Sequence, residues 1–463
     1  IDRLADWAER GGVEPNHTTH FFVPEELPPV LSEDAKTCSN WTDGSLDCGS
    51  EVLKTLGDNE SLALFEELRY QLASMTSPHK VVVHAGDHRG LLFRFGSQYR
   101  HEHLSIASEM KPMTAVLVMR LVELGVIGLD DKANQWLNFW PTQASDSRSY
   151  VTLRHCLAFT SGFYGIPDNV YNVSALDAFP ADLSVPQMHD INWYEMRCDT
   201  INPRRCAMAV LKHSEHIAAP GSVWTYTGDH FRIAIAMVYA ATGKNLVHLL
   251  REHVFDRTAP AMHHTAPYTY LEYFDPASRT LSTPSDYQRF IDAYFRGQLI
   301  SNKSLEIIEQ DSQAFTQTRI FKGVSDIGRP VDHGLFGLGW WRSRSTKTLC
   351  GQYHFCNFAP SHYGSVAVIE RKWPEWHGVK TCSWARSSSC SFYFHFQNVG
   401  FLDSEAAKEL FRPVSHLIED YMMQILSGRT VVNVTYNVSN ISNISNISND
   451  TNVSNVSNVT VVV

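Results

Sequence analysis

The feature that most limits the possible folds is a change of apolar period near both ends of the chain. Leu62, Phe65, Leu68, Leu72 and Met75 recur at three- and four-residue spacing, which puts them on one face of a helix. Pro78 ends the pattern, because proline lacks the backbone donor and clashes with the preceding turn. Val81-Val82-Val83 and Leu91-Leu92-Phe93 then flank Gly86-Asp87-His88-Arg89-Gly90. They predict a β-hairpin whose loop is slightly longer than the tightest kind. Far along the chain Phe392, Phe394 and Phe396 alternate, the period of a strand with one apolar face. Ser404 to Leu426 predicts a helix, kinked or split at Pro413. Both helices can cover one sheet, which makes the two ends parts of a single α+β domain.

Between these ends, the stretch from about 130 to 310 reads as mainly helical with long loops, a second lobe inserted into the domain. Phe231 to Ala241 and Asn245 to Val254 are its clearest helices. Another helix is expected from Ser108 to Leu124, with Gly125 as its stop, and a late strand from Gly364 to Arg371. Residues 1–57 are rich in turn formers and read as a loop-rich extension, leaving 58–430 as the folded domain. The tail, 431–463, repeats Asn-Val/Ile-Ser. Such a repeat cannot bury a core, so it is expected to be unstructured.

Apolar residues make up 43% of the 463 and charged residues 19%, ordinary globular usage that excludes wholesale disorder. The net charge of −10 offers no electrostatic footprint for nucleic acid. No run approaches the roughly 18 apolar residues of a spanning helix; Arg120 and Glu123 interrupt the best one. Asn-x-Ser/Thr sequons stand at Asn16, Asn40, Asn59, Asn172 and Asn302, with nine more from Asn433 to Asn458. Cysteines form tight local pairs, Cys38 with Cys48 and Cys198 with Cys206, while Cys350, Cys356, Cys382 and Cys390 allow three connectivities. Both features predict a secreted or lumenal protein with disulfides. Cys156, inside an apolar segment, reads as a buried free thiol. The chain begins at Ile1 and is expected to be a mature or trimmed form.

The sharpest chemical signal is Ser108-Glu109-Met110-Lys111-Pro112. Ser and Lys three apart on a helix share a face. A serine hydroxyl becomes a strong nucleophile only when a base takes its proton, and a lysine kept neutral by burial or by another cation can do so. A helix start near Ser108 would also favour negative charge there. The bare pattern by itself more often marks a surface Ser and Lys on an amphipathic helix. A second signal is Pro220-Gly221-Ser222-Val223-Trp224-Thr225-Tyr226-Thr227-Gly228, a turn that delivers a tyrosine. A phenol becomes a base only beside a cation, and Lys111 could be that cation. Otherwise Tyr226 simply packs at the next helix start.

Together these segments resemble the β-lactamase-related serine hydrolases, which include class C β-lactamases, D,D-peptidases, D-aminopeptidases and related esterases. Val151-Thr152-Leu153-Arg154-His155-Cys156-Leu157-Ala158-Phe159-Thr160-Ser161-Gly162 is similar to a family stretch. So are Leu281-Ser282-Thr283-Pro284-Ser285-Asp286-Tyr287 and Phe336-Gly337-Leu338-Gly339-Trp340-Trp341. The matches fall in order between about 60 and 427. The resemblance implies a β-lactamase/transpeptidase-like fold, an antiparallel sheet flanked by N- and C-terminal helices plus the helical lobe. It implies acyl transfer, in which Ser108 attacks a carbonyl and Lys111 and Tyr226 move its proton. The backbone N–H of Ser108 and one from a late strand would hold the oxyanion.

The chain departs from the family pattern in two places. Gly228 stands where the family carries Asn, with Asp229 and His230 beside it. Alignment of Gly364-Ser365-Val366 with the late strand puts Cys356-Asn357-Phe358 where Lys-Thr-Gly or His-x-Gly is expected. His354 and His362 are candidates for that polar role, and with Gly364 and Trp340 they form the candidate substrate-binding set. The Trp340-Trp341 pair suits core packing as well as a cleft wall. The insertion from about Gly165 to Arg205 is expected to cover the cleft. His101-Glu102-His103, His213 to His216 and His263-His264 lack a third ligand at a diagnostic spacing, so no metal site and no cofactor is expected. The reading is a secreted serine hydrolase acting on a small or peptide ester or amide. Two alternatives stand beside it: a hydrolase fold kept as a binding or scaffold glycoprotein, and a peptidase specific for D-amino acids.

Overall fold

The computed structural model describes residues 59–76, 79–87, 90–164, 203–267, 276–278, 280–309, 318–320, 335–344, 355–360, 365–370, 392–399 and 404–427. The expected extension, the tail and nearly all of the 165–205 insertion lie outside them. Chain contacts separate Ile1–Leu46 from Asp47–Val463, and all the described residues lie in the second unit.

The first apolar stripe is helix α1, Asn59–Thr76. Phe65, Leu68 and Leu72 are fully buried, each stabilising by about 1.5–3 kcal/mol. Strands β1, Val81–Asp87, and β2, Gly90–Phe95, form the expected hairpin. Their pairing runs on to Asp87 and Gly90, deeper into the turn than the sequence suggests. Phe93 of β2 stacks on Phe65 of α1 at 5.6 Å. After β3, Leu104–Ser105, a 3-10 turn over Ala107–Glu109 leads into α2, Met110–Glu123. Gly125 then adopts φ 69°, a left-handed conformation that glycine enters without steric cost.

The middle of the chain is mainly helical, as expected, but it also carries short strands. Its helices are α3, Ala133–Trp136, α4, Leu153–Leu157, and α5, Pro203–His213. Strand β4, Val223–Thr225, precedes α6, Asp229–Thr242, and α7, Leu246–His253. Strands β5, Ala266–Pro267, and β6, Thr280–Ser282, are followed by α8, Pro284–Phe295, and α9, Asn302–Glu309. Strand β6 lies between β3 and β5, and β4 pairs in parallel with β7, Thr318–Ile320. Helix α2 is buried over nearly its whole surface and packs against α7 and α9. That position explains its all-round apolar sequence.

The last strands are β8, Leu335–Phe336, β9, Trp341–Arg344, β10, Phe355–Pro360, β11, Ser365–Glu370, and β12, Phe392–Asn398. They join the hairpin in one seven-stranded antiparallel sheet, ordered β2-β1-β12-β11-β10-β9-β8. The expected alternation along β12 is half of the story, since all seven residues are buried. Tyr393 and His395 meet α8, where Tyr393 donates to Asp292 Oδ1 at 2.8 Å and His395 lies 4.8 Å from the Tyr287 ring. The phenylalanines face the opposite side. Helix α10, Ser404–Ser427, closes the chain and packs on both β12 and α1. Gln71 of α1 donates to the Tyr421 hydroxyl at 2.8 Å. The expected split at Pro413 does not occur, as the proline sits inside one helix. Leu410, Val414, Leu417, Ile418 and Met422 stay buried across it. Their burial outweighs the roughly 3 kcal/mol that an interior proline costs.

Candidate active site

Ser108 sits in the 3-10 turn ahead of α2 and is half-buried. Ala107 before it holds φ 40°, a left-handed conformation that costs a non-glycine residue about 1–3 kcal/mol. The surroundings hold the turn in place. Ile106 donates its N–H to Thr280 O at 2.9 Å, and the Tyr287 hydroxyl donates to Glu109 O at 3.0 Å. Strand β10 runs beside the same turn.

Lys111, one turn along, is almost fully buried. Its Nζ donates to Ser108 Oγ at 3.0 Å and to Ala277 O at 2.7 Å. Thr114 pins the same segment by donating to Pro276 O at 2.7 Å. Tyr226 arrives from the end of β4, and its hydroxyl donates to Ser108 Oγ at 2.9 Å. Lys111 Nζ lies 4.9 Å from the centre of the Tyr226 ring, a cation–π contact. The structure therefore brings Ser108, Lys111 and Tyr226 together, with the serine oxygen accepting from both neighbours.

Three further contacts shape this group. The Trp341 ring stacks on Tyr226 at 5.5 Å and 27°. Phe159 touches the same phenol at 5.0 Å. Gly339 lies against α2, with φ 79°, and a Cβ there would stand 2.8 Å from Lys111 O and 2.9 Å from Ala115 Cβ. Only a residue without a side chain fits so close to the helix that carries Lys111.

The candidate substrate-binding residues fare differently. Trp340 is fully buried and packs 5.3 Å from the Tyr294 ring, the core-packing role that its sequence also suits. Its neighbour Trp341, the first residue of β9, borders Tyr226 instead. His354, His362 and Gly364 lie outside the described residues. Cys356, Asn357 and Phe358 are inside β10, paired with β11. Strand β10, which carries them, is the one beside the Ser108 turn, where the sequence alignment put them.

Beside Gly228, the Arg232 guanidinium carbon lies 3.6 Å from the position of an added Cβ. Arg232 pairs with buried Asp229 at 2.8 Å, and His230 points inward, fully buried. Cys156 is a buried free thiol, and burial pushes its pKa up. His101 and His103 meet His264 ring to ring, at 6.4 and 5.7 Å. Among the described residues no three His, Cys, Asp or Glu are placed to hold a metal ion.

A family model described as Beta-lactamase matches residues 96–372. Esterase EstB of Burkholderia gladioli is 32% identical over 142 residues, 30% of this chain and 33% of that protein. Penicillin-binding protein 4* of Bacillus subtilis (strain 168) is 22% identical over 263 residues, 51% of each chain. The chain thus spans about half or less of the length of the curated relatives it matches. The solved beta-lactamase/D-alanine carboxypeptidase of Yersinia pestis aligns with a TM-score of 0.51 at 14% identity, over 79% of this chain and 98% of that one. Identity that low shows a shared fold alone. The family match covers more than half of the chain and contains Ser108, Lys111, Tyr226 and the strands β8 to β11, and on that ground the chain belongs to the Beta-lactamase family.

Proposed function

We propose that the protein is a serine hydrolase that cleaves an ester or amide through an acyl-enzyme on Ser108. The observation that carries this is the double hydrogen bond to Ser108 Oγ, from Lys111 Nζ at 3.0 Å and from Tyr226 at 2.9 Å. In the reactive state one of these donors gives its proton elsewhere and accepts the Ser108 proton. Oγ then bonds to the substrate carbonyl carbon. The resulting oxyanion is held by the Ser108 N–H and by an N–H of the nearby sheet. The leaving group departs with the proton, and water attacks the acyl-serine by the reverse route. His354, His362 and Gly364 are the residues proposed for the substrate side of the site.

The same reading places the protein in an oxidising secretory compartment. Support comes from the sequons, among them exposed Asn302 at the start of α9, and from Cys206, which is disulfide-bonded. The test is fluorophosphonate labelling followed by peptide mapping. An adduct on Ser108, absent in Ser108→Ala and strongly reduced in Lys111→Ala, is expected. A folded protein that takes no adduct would instead favour a binding role for this fold. Paired D- and L-amino-acyl amides, run beside simple esters, separate a peptidase from an esterase.

A further inference from the structure

Fully buried His230 has no part in the proton transfers above, yet it bonds to the residue next to Tyr226. We infer that His230 is a positioning residue, which clamps the end of β4, just ahead of Tyr226, to the loop at Thr160–Gly162 and so holds the phenol on Ser108. The inference rests on the serine hydrolase reading and extends it to a residue that touches neither substrate nor nucleophile.

The hydrogen bonds fix how the ring is used. His230 Nε2 lies 2.8 Å from Thr225 O, and a carbonyl only accepts, so Nε2 carries the proton. In the neutral ring Nδ1 is then an acceptor, and Ser161 Oγ at 2.7 Å donates to it. This arrangement satisfies both ring nitrogens. Burial lowers the pKa of His230 to about 3, so the ring is neutral at ordinary pH and acts as a fixed donor–acceptor pair.

The clamp closes on Thr225 from several sides. Its N–H donates to Phe159 O at 3.0 Å, and its hydroxyl donates to Phe163 O. Phe159 holds φ 59°, strained for a non-glycine residue. In that conformation its ring touches both His230 at 5.2 Å and Tyr226 at 5.0 Å. Tyr226 is the next residue after the clamped one. A misplacement of its hydroxyl by about 1 Å is enough to cost roughly a hundredfold in rate.

The experiment measures kcat and KM for a p-nitrophenyl ester, with the rate of fluorophosphonate labelling at Ser108, in the full chain. His230→Phe keeps the ring volume and removes both hydrogen bonds. It is expected to lower kcat and labelling by about thirty- to a hundredfold, with KM within about twofold. His230→Gln retains a donor and an acceptor and should recover activity to within about tenfold of the parent. In a Tyr226→Phe background, His230→Phe should cost less than about twofold, because residues acting as one unit are not additive. An unchanged kcat in folded His230→Phe, or an equal loss in both backgrounds, overturns the inference. If His230→Phe does not fold, Ser161→Ala supplies the same cycle with a smaller expected loss of about threefold, and full additivity there is equally fatal. A parent protein that neither labels nor turns over ester refutes the hydrolase reading itself, and the inference falls with it.

Discussion

The Tyr226 hydroxyl lies 2.9 Å from Ser108 Oγ across a sequence separation of 118 residues. Tyr226→Phe removes that hydroxyl and keeps the ring that stacks on Trp341. The fold should survive, with a melting temperature close to that of the parent. Ester turnover is expected to fall by about 10²–10⁴-fold, the usual scale for losing a positioned proton donor or acceptor. Turnover within tenfold of the parent would remove Tyr226 from the proposed mechanism.

Gly339→Ala tests the contact between the late glycine segment and α2. The new methyl would stand 2.8 Å from Lys111 O in a backbone at φ 79°. Both the clash and the strain oppose it, so a loss of about 1–3 kcal/mol in stability is expected. Activity should drop as well, because the displaced backbone is that of Lys111. Denaturant melts and ester kinetics on one preparation would check both effects. A variant as stable as the parent would show that the segment is not pressed on α2.

Trp340→Ala and Trp341→Ala should separate. Trp340 is buried against Tyr294, and its loss is expected to cost about 3–5 kcal/mol as a large core truncation. Trp341 supports Tyr226, so its replacement should lower kcat by more than its effect on melting would suggest. The reverse pattern would restore Trp340 as the cleft residue.

Acid should destabilise this protein early. Burial lowers the pKa of His84 well below its ordinary value, with Arg94 adding to the effect. It lowers that of His230 and His395 to about 3. Above pH 6.5 these rings are neutral whether the chain is folded or not, and stability is level. Below it the unfolded chain binds protons that the native state refuses. Stability should then fall by about 1.4 kcal/mol per pH unit per histidine, down to the native pKa of each. Urea midpoints at pH 7.5, 6.0 and 5.0 would show the decline. Equal midpoints would mean that the three rings are not buried neutral.

Local structure was readable because it depends on neighbours within a turn. The stripe Phe65, Leu68, Leu72 becomes α1, and Gly125 ends α2 with positive φ. Three-residue spacing put Lys111 one turn from Ser108, while contacts with Ala277 and Thr280 fixed the geometry. Pro413 shows the limit of this kind of reading. Its local cost is real, but the helix continues because the stripe on either side is buried.

The sequence by itself determined the hairpin, strands β11 and β12, helices α1, α2, α6, α7 and α10 and the Ser108–Lys111 spacing, since period and spacing act through backbone geometry over a few residues. Only the tertiary structure decided what meets across long separations. It chose Trp341 rather than Trp340 as the neighbour of Tyr226, and it covered both faces of β12. It put Cys356 to Phe358 inside a paired strand, and it turned His230 inward to Ser161 and Thr225. The physical reason is that each of these choices is a competition between faces for burial and for hydrogen-bond partners. Those partners come from distant parts of the chain, and no local pattern records which will win.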